Sequence, residues 1–179
     1  MGGPRLLGLA AAFQVLLIGA GEALLRLTGR GSVVAGLVPG LPWNLILGTG
    51  AAAGLVVAVL VFGLYRLVPV YAAAIRPVVQ LFRQFPGGWL WVVAALSPVG
   101  EEAFFRGALQ PLLGLFGAAL VFGVLHTGFR RSNLAYGLTA AAAGCLFGLA
   151  FQYTGELWAP VVAHALYNTL AAWMICRLP

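Results

Sequence analysis

Six side chains in this sequence are of types that could together hydrolyse a carbonyl: Glu101, Glu102 and Arg106 in EEAFFR, His126 in FGVLH, and His164 and Asn168 in HALYN. All six lie in strongly apolar stretches, where an ionisable group costs several kcal/mol and needs a partner or a task. Helical spacing sorts them. Glu102 and Arg106 stand at i, i+4 and can pair on one face. Glu101 is turned about 100° away, with only Phe104 and Phe105 at i+3 and i+4, so its carboxylate is left for chemistry. His164 and Asn168 are again i, i+4 and point into one space, as do Phe122 and His126.

A carboxylate beside an imidazole can take a proton from water, and hydrogen-bond donors opposite can hold the oxyanion that results. Glu101 and His126 fit the first role, His164 and Asn168 the second, with Glu102 and Arg106 in support. No serine or cysteine is placed with a histidine as clearly, which disfavours a covalent nucleophile. Competing readings come from other classes. Two histidines and a glutamate could ligate zinc, although HExxH is absent; a membrane histidine often only bonds helix to helix. An idle scaffold or immunity protein, and a proton-coupled transporter, are also open. No metal or cofactor is expected.

Positioning these groups falls to membrane helices. The 179 residues are 62% hydrophobic and 8% charged, with a mean hydropathy of +1.00. A water-soluble domain carries roughly 25% charged residues, so the bilayer is the solvent for most of the chain. The expected fold is all-α: a polytopic bundle of one domain over residues 1–179, located in the cell (cytoplasmic) membrane. Runs of ~20 apolar residues give spans at 5–26, 43–66, 88–110, 113–129, 135–153 and 157–176. The first is too long for a signal-peptide core and is read as retained. At ~1.5 Å per residue, Glu101, His126 and His164 all fall at middle depth.

The net charge of +6 does not indicate nucleic-acid binding, because the basic residues are all arginines scattered singly or in pairs between spans. Arg5, Arg66, Arg76, Arg83, Arg130, Arg131 and Arg177 lie on one side, and Arg26 and Arg30 on the other. The positive-inside rule then puts both termini in the cytoplasm. Between spans two and three, Arg76, Gln80, Arg83 and Gln84 form a polar stripe opposite Val79, Phe82 and Phe85. With Pro69, Pro77 and Pro86, this predicts a short interfacial helix, the alternative being a loop. Gly50 with Gly54, and Gly144 with Gly148, predict close helix packing within the bundle, with a dimer interface as the alternative. The oligomeric state stays open. Ser97 could cap a helix restarted at Pro98, opening room beside Glu101 in span three, the alternative being an ordinary proline kink with no role in access. Glu22 and Arg26, i, i+4 near the outer interface, read as a structural pair. Cys145 and Cys176 have neither zinc-site nor disulfide spacing.

EEAFFRG, FGVLH and HALYN, in this order on successive apolar helices, resemble the three motifs of the CPBP family of CAAX proteases and bacteriocin-processing enzymes, also called the Abi family. TGELWAPVVAHALYN (154–168) resembles the family's approach to its last motif. The similarity covers residues 88–172. It implies a glutamate-dependent intramembrane endopeptidase without a bound metal, in which Glu101 and His126 activate water, His164 and Asn168 form the oxyanion site, and Glu102 and Arg106 support them. The implied partners are a peptide or lipidated protein substrate and the lipid bilayer. Prenylated C-terminal motifs, leader peptides and C-terminal anchors are equally compatible substrates.

Overall fold

The computed structural model describes residues 3–84 and 88–177, with side chains from Leu7 onward. Phe85 and Pro86 of the amphipathic segment, and the Arg5 side chain, lie outside the described residues. Among those described there is no strand. Seven helices follow one another: α1 (Gly3–Leu27), α2 (Trp43–Leu67), α3 (Pro69–Arg83), α4 (Trp89–Glu102), α5 (Gln110–His126), α6 (Leu134–Thr154) and α7 (Trp158–Arg177). A π-helical turn, Ala103–Leu109, joins α4 to α5. Among the described residues, five stretches are long and apolar enough to cross a bilayer, the longest being Trp89–His126.

That longest stretch is two passes, as the six-span reading expects. A straight helix from Glu101 to His126 would separate them by ~37 Å, yet Nε2 of His126 lies 3.9 Å from Oε2 of Glu101. The chain must therefore double back, and it does so at Gly114, whose φ of 73° and ψ of 175° leave the helical region. A side chain at that φ would be strained, so glycine is what the reversal needs. The returning limb, Leu115 to His126, is only ~18 Å long. It ends beside Glu101, which places His126 at a helix terminus inside the bundle.

Small residues set how closely the passes approach. A Cβ on Gly50 would lie 2.6 Å from the Ala159 carbonyl oxygen, and one on Gly54 would lie 2.5 Å from that of Ala163. This pair brings α2 against the part of α7 that carries His164, as close-packing membrane glycines do. Gly123 does the same for α5 and α6, 2.6 Å from the Gly137 oxygen.

The segment after α2 is a helix, not a loop. Ile75, Val78 and Val79 of α3 are buried, while Arg76, Gln80, Arg83 and Gln84 are exposed, as the polar stripe predicts. Ile75 and Val79 pack on Leu90, Ala94, Ala172 and Ile175, so α3 closes one end of the bundle, where α4 starts and α7 finishes. Tyr71 and Thr139 hydroxyls share a 2.9 Å hydrogen bond that fixes α3 to α6. Apart from the buried Arg106, the described arginines segregate accordingly: Arg66, Arg76, Arg83, Arg130, Arg131 and Arg177 belong to elements at this end. Arg26 and Arg30 lie at the other, where Arg30 donates to the Pro111 carbonyl at 2.7 Å.

One expectation is corrected. No helix restarts at Pro98, and Ser97 caps nothing: α4 runs unbroken through a buried Pro98 to Glu102. The irregularity lies downstream, in the π-helical turn. Such wide turns cluster at functional sites. Glu22 behaves as the structural pair expected, accepting from Arg26 Nε at 2.6 Å and from the Ser32 hydroxyl at 2.7 Å.

Candidate active site

The two adjacent glutamates face different worlds. Glu102 is sealed: its side chain is 0% exposed and that of Arg106 is 1% exposed. Arg106 Nη1 lies 2.9 Å from Glu102 Oε2, though not aligned for a hydrogen bond, so their attraction is mainly coulombic. The other oxygen, Oε1, accepts from Nδ1 of His164 at 2.6 Å. One carboxylate thus ties α4 to α7 and to its own following turn.

Arg106 is in turn fixed to α6. Its Nη2 donates to the Gly144 carbonyl at 2.8 Å, and one turn on, Gln110 Nε2 donates to the Gly148 carbonyl at 3.0 Å. The guanidinium also lies over the Phe122 ring at 4.9 Å. A Cβ at Gly144 would stand 3.2 Å from Arg106 Nη2, and one at Gly148 would stand 2.6 Å from Gln110 Oε1. The Gly144–Gly148 pair therefore packs internally, as expected, and it also admits two polar side chains to backbone oxygens in a medium that offers no water.

His164 is held on three sides. Besides Glu102, Phe147 stacks on its ring at 4.9 Å, nearly parallel at 21°, and Phe122 meets it edge-on at 5.7 Å. With Nδ1–H given to Glu102, Nε2 can donate only when the ring carries both protons. Glu102 and the two aromatic walls give such an imidazolium its counter-charge and its orientation.

Glu101 and His126 are arranged differently. Their side chains are 16% and 23% exposed, and both line a cavity of about 410 Å³ shared with His164 and Asn168. His126 Nδ1 lies 2.8 Å from the Phe122 carbonyl. A carbonyl only accepts, so Nδ1 carries a proton, and in the neutral ring Nε2, the nitrogen nearer Glu101, is a bare acceptor. Opposite it, Glu101 Oε2 has no hydrogen-bond partner. Two acceptors thus face each other across 3.9 Å, too far for a direct bond. A molecule with two O–H donors satisfies both: an oxygen ~2.8 Å from each would subtend ~90°.

All six residues singled out in the sequence are therefore brought together: Glu101, His126, His164 and Asn168 on the cavity, Glu102 and Arg106 directly behind it. Among the described residues, no group of three His, Cys, Asp or Glu side chains is placed to hold a metal ion. Several polar residues were not foreseen: Tyr136, Thr139 and Tyr167 line the cavity, Tyr136 with its ring 5.7 Å from that of His126, and Gln14 and Glu156 make contacts of their own. Gln14 of α1 lines the cavity and accepts from the Gly100 N–H at 3.0 Å; a lone glutamine in an apolar run has no spacing to announce it. Glu156 accepts from the Gly40 and Leu41 N–H groups at 2.9 and 2.8 Å, clamping the α1–α2 loop against the start of α7. Its signal was its charge alone, one of four acidic residues in the chain.

Fold and site together define a multi-pass membrane protein with a carboxylate–imidazole cavity in its interior. Comparison with known proteins narrows the class. Residues 83–170, close to half of the chain, match the family model described as Rce1-like, type II CAAX prenyl endopeptidase. The resemblance to the CPBP family carried by the three motifs is borne out for this segment. Among curated proteins, the chain is 36% identical over 80 residues to "Uncharacterized protein YpbD" of Bacillus subtilis (strain 168), covering 45% of this chain and 42% of that one. It is 31% identical over 87 residues to "Putative membrane peptidase YdiL" of the same organism, covering 46% and 35%. The chain thus spans less than half the length of the curated relatives it matches. No solved structure matches it.

Proposed function

We propose that this protein is an intramembrane endopeptidase that hydrolyses a peptide bond of a membrane-associated substrate with a water molecule activated by Glu101 and His126. The observation that supports it best is the pair of opposed acceptors, Glu101 Oε2 and His126 Nε2, 3.9 Å apart on a cavity wall shared with His164 and Asn168. Water donates one O–H to each. Its oxygen attacks the scissile carbonyl carbon as Glu101 takes the proton, and the carbonyl oxygen becomes an oxyanion. His164 Nε2–H and the Asn168 amide donate to that oxygen, stabilising charge where it develops. Glu102 supplies the counter-charge to His164, and Arg106 fixes Glu102. Collapse of the intermediate breaks the C–N bond, and the proton held by Glu101 passes to the leaving nitrogen.

The six arginines at the α3 end support a cytoplasmic placement of that end in the cell membrane. The family model and the relative named as a membrane peptidase support a protease acting on protein substrates; the choice among prenylated tails, leader peptides and C-terminal anchors belongs to experiment. Purified protein in nanodiscs, offered a peptide library, is expected to cleave. Glu101→Gln and His126→Ala are expected to lose at least ~10²-fold in rate while staying folded, and EDTA is expected to have no effect. Full cleavage by Glu101→Gln would end this mechanism, and loss with EDTA that zinc restores would replace it with a metal-dependent one.

A further inference from the structure

Gln14 is the polar side chain of α1 that borders the cavity; its neighbours there, Ala10 and Phe13, are apolar. Its position is set from the other side. A Cβ on Gly100 would lie 2.5 Å from Gln14 Oε1, 2.8 Å from its backbone oxygen and 2.9 Å from its Cα. Only glycine at 100 lets α1 come this near, one residue before Glu101. The contact also fixes which way the amide points. The Gly100 N–H donates to Oε1 at 3.0 Å, so the oxygen is taken up by α4 and the NH₂ is left for another partner. That NH₂ donates to no described residue, although an amide in a membrane span is costly without partners.

Glu101, His126, His164 and Asn168 line the cavity it borders. A peptide lying there, screened from water, brings carbonyl oxygens that need donors. Asn168 and His164 serve the scissile carbonyl; Gln14 stands on a different helix. We propose that Gln14 is a substrate-binding residue, its NH₂ donating a hydrogen bond to a backbone carbonyl flanking the scissile bond. This rests on the reading of the cavity as the peptide site. Because the ligand is a backbone carbonyl, the contact adds affinity without selecting side chains.

The test measures binding and turnover separately. The probe is the fluorescent decapeptide that binds Glu101→Gln protein in nanodiscs most tightly from a random library. In that background, Gln14→Met is expected to weaken binding about fivefold, the worth of one neutral hydrogen bond. Gln14→Glu keeps an oxygen for the Gly100 N–H but removes the NH₂, and is expected to weaken binding at least as much. In the otherwise native chain, Gln14→Met is expected to raise KM about fivefold and leave kcat within about twofold, as loss of uniform binding does. Thermal unfolding in detergent checks that each variant is folded. If Gln14→Glu binds like the parent while Gln14→Met does not, the residue only joins α1 to α4, and the inference falls. Cleavage by the native chain with unchanged binding in both variants also sinks it, and leaves the protease reading intact. Binding that depends on Gln14, in a protein that cleaves nothing, upholds Gln14 as a peptide-binding residue of this cavity and removes the protease and with it the placement beside a scissile bond. Absence of peptide binding in every variant overturns both.

Discussion

Replacing Arg106 by methionine keeps much of its volume and removes its charge. The structure sets what that costs. Arg106 and Glu102 are 1% and 0% exposed and 2.9 Å apart, so methionine leaves a buried carboxylate whose remaining partner is His164 at 2.6 Å. Removing one partner of a buried ion pair costs about 3–5 kcal/mol. The surviving histidine contact puts Arg106→Met near the lower end, and the lost bond to Gly144 adds ~1 kcal/mol. Glu102→Gln strands the guanidinium instead, with the Gly144 carbonyl as its remaining acceptor, at about 3 kcal/mol. The double variant strands neither charge. It is expected to be destabilised by only about 4 kcal/mol, against ~7 for the two singles added, a coupling of about 3 kcal/mol. Reversible unfolding in mixed micelles titrated with SDS, followed by tryptophan fluorescence, measures all three. Strictly additive singles, or an Arg106→Met variant within ~1 kcal/mol of the native protein, would refute the view that this pair is a sealed, mutually dependent unit.

Two further outcomes follow from the packing. Gly54→Val is expected to destabilise by about 2–3 kcal/mol in the same titration, because its Cβ would meet the backbone of Ala163, 2.5 Å from the carbonyl oxygen, and not a flexible side chain; native stability would contradict the close α2–α7 crossing. Glu156→Ala removes the acceptor shared by the Gly40 and Leu41 N–H groups. Hydrogen exchange at those two amides is expected to accelerate at least ~10-fold, the worth of a charge-assisted bond, and unchanged protection would show that the loop is held by other contacts.

The parts of this molecule legible in its sequence are those with a helical period. Glu102–Arg106 and His164–Asn168 stand at i, i+4, and both pairs share a face as that spacing requires. The α3 stripe is legible for the same reason, since a helix lying along an end of the bundle must be polar on one side. The reversal at Gly114 is half legible: apolar length demands two passes, but no rule says which of the nearby glycines takes the positive φ. The π-helical turn is not legible at all. AFFRGAL would suit an α-helix, and the wider turn persists because Arg106 and Gln110 both find carbonyls on α6. The expected break at Pro98 failed because proline is tolerated in a membrane helix that neighbouring helices brace, and here α1 packs on α4 at Gly100. Gln14 and Glu156 went unread because each acts alone across a long stretch of chain.

Under the proposed mechanism, the division between the two glutamates explains why consecutive carboxylates would be needed and why one would not suffice. A catalytic carboxylate must keep an unpaired oxygen where substrate and water arrive, yet an unpaired, mobile carboxylate cannot organise its surroundings. Glu102 does the organising: through His164, Arg106 and, beyond it, Gly144, it fixes α4, α7 and α6 relative to one another. Glu101, one residue earlier and ~100° around the same helix, inherits that rigidity without sharing its hydrogen bonds. Its Oε2 therefore remains unsatisfied at a defined point 3.9 Å from His126 Nε2. If either glutamate took both roles, the oxygen facing His126 would be consumed by a structural partner or left without fixed position.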